Sequence, residues 1–147
     1  MLNQLKGVFS SCQKHEVKYV VIGGIASVLH GIPRATFDLD ILIQASKDNA
    51  TRLLEALEET GLDTASLITA DDLLEHEITI FKDIVRIDVQ TSTPGIQFED
   101  AWKNRVIMDY QGQEFFLVSK DDLIASKRAA GREKDLEDVR LLTLDDE

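Results

Sequence analysis

The run Tyr19-Val-Val-Ile-Gly23-Gly24, followed by Asp38-Leu-Asp40, constrains this chain more than any other stretch. Lys18 to Ile22 is a β-branched, strand-like run, and Gly23-Gly24 ends it with residues that accept positive φ and let another group approach the backbone. Ile25, Val28 and Leu29 then recur at helical spacing, so the chain passes from strand to helix at the glycines. Free N–H groups at such a helix start point above the strand, as in anion sites. Asp38 to Ile43 reads as a second strand, with Leu39, Ile41 and Ile43 on one face and Asp38 and Asp40 on the other. A phosphate-sized turn thus lies close to a carboxylate pair suited to a metal, which points to chemistry on a nucleoside triphosphate.

The rest of the chain supplies a frame for that unit. Leu2, Leu5, Phe9 and Cys12 share one face of an opening helix. Ser46 is the expected N-cap of a helix through Ala50, Leu53, Leu54 and Leu57 that Gly61 ends. Glu77 to Gln90 alternates as two strands, Ile78 with Ile80 and then Val85, Ile87 and Val89, reversing at Lys82-Asp83 and leaving Asp88 opposite the apolar face. Thr93-Pro94-Gly95 is a turn, and Asn104 to Tyr110 with Glu114 to Val118 forms a hairpin about Gln111-Gly112. Ser119 with Asp122 opens a helix through Leu123, Ile124 and Ala130, Gly131 interrupts it, and Glu133 to Leu142 is the last helix before a solvated tail at Asp145-Asp146-Glu147. Interleaved helices and hairpins predict one α/β (α+β) domain over residues 1–147, with a mixed β-sheet and flanking helices.

Composition sets the boundaries of function. A net charge of −11 works against nonspecific binding to a phosphate backbone, so any nucleic-acid recognition must be local. No apolar run approaches the ~20 residues that span a bilayer. Cys12 is the only cysteine, so no disulfide forms within the chain, and Met1 to Gly7 lacks a secretory pattern; the expected compartment is the reducing cytoplasm. His15, His30 and His76 are scattered without zinc-ligand spacing.

Asp38, Asp40 and Asp88 each project from the polar face of a strand, and they converge if their strands are neighbours. Carboxylates ~4 Å apart repel by about 4 kcal/mol at an effective dielectric near 20, so three together call for a cation. The expected cation is Mg2+, as two ions that clamp the attacking and leaving oxygens of a phosphoryl transfer.

These residues resemble the small nucleotidyltransferases of the polymerase-beta-like superfamily, especially the single-domain kind akin to abortive-infection and toxin-antitoxin enzymes. The resemblance rests on Gly23-Gly24, Asp38-Leu39-Asp40 and Ile87-Asp88-Val89 in order, with His30-Gly-Ile-Pro-Arg34-Ala-Thr36, Leu123 to Lys127 and Ala130 to Asp135 alongside. It covers roughly residues 18 to 140. It implies a nucleotidyltransferase-like palm, metal on Asp38, Asp40 and Asp88, the triphosphate on Gly23, Gly24 and Ser27, and Lys127 against phosphates or base. It also implies Mg-dependent transfer of a nucleoside monophosphate to a hydroxyl of RNA, protein or a small molecule, with pyrophosphate released. Larger relatives carry an extra substrate-binding domain that has no counterpart here, so the acceptor stays open.

Simpler roles stand beside these. Arg34 either clamps phosphate with its planar fork or pairs with a neighbouring acid near the loop. Lys127, Arg128, Arg132 and Lys134 either meet nucleotide or form a helix face paired with Glu133, Asp135 and Asp138. His30 is expected to cap or pack, and Phe98 and Trp102 to join the core. A different class of function is a noncatalytic module that binds nucleotide or acts through a protein partner, such as one half of a toxin-antitoxin pair.

Overall fold

The computed structural model describes residues 2–36 and 38–144, so the tail at Asp145 to Glu147 lies outside the described residues. In chain order the elements are α1 (Leu2–Lys14), β1 (Tyr19–Ile22), α2 (Gly23–Leu29), β2 (Leu39–Ile43), α3 (Lys47–Glu59), a 3-10 turn (Asp63–Leu67), α4 (Ala70–Glu75), β3 (Ile78–Lys82), β4 (Arg86–Gln90), α5 (Phe98–Asn104), β5 (Val106–Tyr110), β6 (Gln113–Leu117), α6 (Lys120–Ala130) and α7 (Glu133–Thr143). The six strands form one mixed sheet in the order β3-β4-β2-β1-β6-β5, the β1/β6 and β2/β4 pairs being parallel and the rest antiparallel. The mixed α+β architecture expected from the sequence is the one observed.

Local signals explain the main elements. The Ser46 hydroxyl accepts the Asn49 N–H at 3.2 Å, and α3 buries Ala50, Leu53, Leu54, Ala56 and Leu57. Asn49 is itself fully buried and leaves no amide group idle. It accepts from Lys18 N at 2.8 Å and donates to the Lys18 and Gln44 carbonyls at 2.9 and 3.0 Å, which fixes α3 to the ends of β1 and β2. Gln111 (φ 50°) and Gly112 (φ 86°) both adopt left-handed backbone, the requirement of a two-residue hairpin turn, between β5 and β6.

One face of the sheet is the core. Register places Leu39, Ile41, Ile43, Ile87, Val89 and Phe115 on the same side, all at most 2 % exposed. Phe9 of α1 closes over it, stacked on Phe115 at 4.6 Å between ring centroids. On the opposite face Trp102 of α5 stands edge-on to Phe116 and in contact with Phe98, the core role expected of both rings. Gly95, in the loop after β4, sits so tightly on α6 that a β-carbon would come within 2.6 Å of the Ala125 carbonyl and 2.7 Å of the Ala129 methyl.

The structure corrects three sequence readings. Ile78 and Ile80 do not join the apolar face, because β3 pairs them with Gln90 and Asp88 and so turns them to the acid side, where each is about half exposed; Phe81 faces the core instead. The reversal runs through Asp83, Ile84 and Val85 rather than Lys82-Asp83, with Asp83 N bonded to Val85 O. Asn104 ends α5 and β5 starts at Val106. The helix α4, unforeseen, is set by a complete capping box between Thr69 and Asp72.

Candidate active site

Register, not closeness in sequence, assembles the acids. Asp40 of β2 lies opposite Ile22 of β1 and beside Asp88 of β4 in the parallel pair. Both are partly buried on the face that α1 does not cover. Asp38 stands just before β2 and joins them through a residue the sequence reading missed, Arg86. Its Nε donates to one oxygen of Asp88 at 2.9 Å, a terminal nitrogen donates to the other at 3.2 Å, and the Asp38 carboxylate is 3.5 Å from Nε. The signal was available, since Arg86 is two residues before Asp88 on a strand and therefore on the same face.

Arg86 pairs with Asp88 and Asp38 and feels the charge of Asp40, so one guanidinium serves three carboxyl groups. Asp40 bears the consequence. Burial, the charges of Asp88 and Asp38 and a hydrogen bond shared with Asp88 outweigh Arg86 and push its carboxyl up to about 7. Replacing Arg86 by Met is expected to push the Asp40 titration higher still, which side-chain carboxyl NMR in chelator reads directly; an unmoved or lower midpoint would remove Arg86 from the electrostatics of the site.

Among the described residues no group of three or more His, Cys, Asp or Glu is arranged to hold a metal ion unaided. The expected three-carboxylate cage is thus not ready-made. The donor chemistry nevertheless suits magnesium, which takes one or two carboxylates and completes its shell with water and substrate phosphates. The partly protonated Asp40 beside Asp88 is a carboxylate pair short of positive charge.

Gly23 is required twice over. Its φ of 71° is left-handed, and a β-carbon there would overlap the Asp40 carboxylate. Gly24 packs against Thr36, whose hydroxyl would lie 2.7 Å from an added β-carbon. Gly23, Asp40 and Asp88 line one side of a cleft of about 530 Å³, with Ile78 and Gln90 beyond them and Ser126, Lys127 and Arg132 across from them.

Two of the expected phosphate ligands are engaged elsewhere. Ser27 is fully buried and its hydroxyl donates to the Gly23 carbonyl at 3.0 Å, which takes it out of the phosphate-binding set. Arg34 forms a two-pronged ion pair with Asp138 of α7, and Lys127 donates to the same carboxylate at 2.9 Å. Asp138 is fully buried; burial alone would raise its pKa, but the hydrogen bonds from Arg34 and Lys127 prevail and hold it below the usual range. Arg132 pairs with Asp135, which its hydrogen bonds likewise hold low. Lys127 still reaches the cleft wall, whereas Arg34 is a tie between the loop after α2 and α7. His30 takes the packing role expected of it, with Nε2 2.8 Å from the Val118 carbonyl.

The model of the nucleotidyltransferase family of unknown function DUF6036 matches residues 2–147. The chain belongs to this family. A Thermotoga maritima protein described as a candidate nucleotidyltransferase superposes with a TM-score of 0.62 over 99% of this chain and 93% of its own, at 14% identity. An antigenic nucleotidyltransferase-like protein from Paracoccidioides brasiliensis gives the same TM-score, 0.62, over 94% of this chain and 72% of its own, at 17% identity. Identities this low carry the fold alone. No curated protein matches the chain. Among the described residues of this DUF6036 member, no helix is long and apolar enough to cross a membrane.

Proposed function

We propose that the chain transfers a nucleoside monophosphate from a triphosphate to an acceptor hydroxyl, with Mg2+ as cofactor and pyrophosphate as the second product. The observation that carries this reading is the parallel register of Asp40 with Asp88 directly beside Gly23. The hydroxyl oxygen attacks the α-phosphorus, the bond from that phosphorus to the bridging oxygen breaks, and pyrophosphate departs in line. Magnesium, held by Asp40 and Asp88 with Asp38 in reach, would neutralise the phosphate charge. Gly23 gives the phosphates close access to backbone while Gly24 packs on Thr36, and Lys127 lines the same cleft. Asp88, held by both prongs of Arg86, would take the hydroxyl proton.

A second reading has a specific observation in its favour. Arg34 and Lys127 already neutralise Asp138, which is what a noncatalytic module with a retained fold would show. Calorimetry with each triphosphate separates the two. Metal-dependent binding that weakens at least tenfold in Asp38→Asn, about 1.4 kcal/mol, supports transfer. Binding indifferent to both magnesium and that substitution supports the module.

A further inference from the structure

The outer edge of β3 is the sheet's nearest free boundary to the acids. In β3 the backbone groups of Glu77 and Asp83 bond towards β4, through Thr91 N to Glu77 O at 2.9 Å and Asp83 N to Val85 O at 3.1 Å. Antiparallel alternation therefore turns the N–H and C=O of Ile78, Ile80 and Lys82 outward, and no described residue pairs with them. The side chains of Ile78 and Ile80 are 51% and 52% exposed on the face that carries Asp88. A free edge flanked by exposed isoleucines is a liability that folds ordinarily mask with charge, proline or a covering segment. Here Lys82 is exposed at the far end of the strand, and the charge at the near end is acidic. Asp71, Asp72, Glu75 and Glu77 are exposed on α4 and at the start of β3, and among the described residues neither Glu75 nor Glu77 has a cationic partner.

We propose that this edge docks the acceptor, as a basic, extended peptide segment that adds to the sheet as a further strand beside the acids. The inference rests on the transfer reading above and names its acceptor class. Strand addition supplies affinity through main-chain hydrogen bonds, and alternate side chains supply specificity. Apolar side chains of the segment would lie on Ile78 and Ile80, and cationic ones would meet the acidic end. A nucleic acid offers neither the backbone donors nor the positive charge, and the net charge of −11 opposes it.

Fluorescence anisotropy of the full chain tests this with a labelled peptide of alternating valine and lysine, the same peptide N-methylated at every second residue, and an oligoadenylate. The plain peptide is expected to bind and the N-methylated one to bind at least tenfold more weakly, since the main-chain hydrogen bonds that hold the added strand are lost. Ile80→Pro should cost a similar factor while leaving the fold intact, because the N–H it removes points away from β4. Equal binding of the two peptides, undiminished binding by Ile80→Pro in a protein that melts normally, no peptide binding, or preference for the oligoadenylate would each overturn the proposal. Triphosphate binding measured on the same samples distinguishes the two readings: its absence removes the transfer reading, whereas absence of backbone-dependent peptide binding removes only the docked strand.

Discussion

Asp40→Asn is expected to raise the melting temperature of the metal-free protein at pH 8, to change it little near pH 4, and to lower nucleotidyl transfer at least a hundredfold. The sign follows from proton binding. With its carboxyl pushed from 3.8 to about 7, folded Asp40 holds a proton that the unfolded chain has released, so stability falls as pH rises through that window and stays low above it. A shift of that size is worth at most roughly 4 kcal/mol, at 1.36 kcal/mol per pH unit. Asp40 is only partly buried and Arg86 is close, so about half of that is a realistic gain, or roughly 6 °C for a chain of this size. Asparagine keeps the shape and discards the charge. The groups facing it are Asp38, Asp88 and Arg86, and on the transfer reading none of them would replace the Asp40 carboxylate toward magnesium. Melts in chelator across pH 4 to 8, with transfer assayed at pH 8, check both halves; a lower melting temperature at pH 8 would mean that the charged carboxylate supports the fold.

Asp138→Ala should do the reverse and unfold the chain more easily at neutral pH. Removing one member of a buried ionic group leaves the others charged and unmatched, at a cost of about 3 to 5 kcal/mol. Arg34 and Lys127 would be left in that state, and the loop after α2 would lose its tie to α7. A fall in melting temperature of roughly 10 °C is expected. The pH dependence is also opposite to that of Asp40. The Asp138 carboxyl is held below its ordinary value, so its contribution is present at neutral pH and is lost as acid protonates it. The gap between wild type and Asp138→Ala should therefore narrow as pH falls below the usual aspartate range. An unchanged melting temperature at neutral pH would show that the ion group is dispensable.

Much of this arrangement was readable in the residues. Gly23-Gly24, the alternation of Asp38 to Ile43 and the N-cap at Ser46 are local signals, and each produced the element expected. Asp88 was placed correctly opposite Ile87 and Val89 because a strand alternates with a period of two. Ile78 and Ile80 failed on the same principle: periodicity says which residues share a face but not which face meets the core, and only pairing with β4 decides that. The pairing of Arg34 with Asp138 spans most of the chain, so nothing in either neighbourhood announced it. Lys127 was open to two roles, and the docking of α6 on α7 realised the simpler of them, the pairing with Asp138.

The missing β-carbon of Gly95 has a consequence for the shape of the cleft. Through that contact the loop bearing Pro94 and Ile96 is seated on the same helix that bears Ser126 and Lys127. A larger residue at position 95 would meet the Ala125 carbonyl in left-handed backbone and wedge the loop away from the helix, widening the opening that both line.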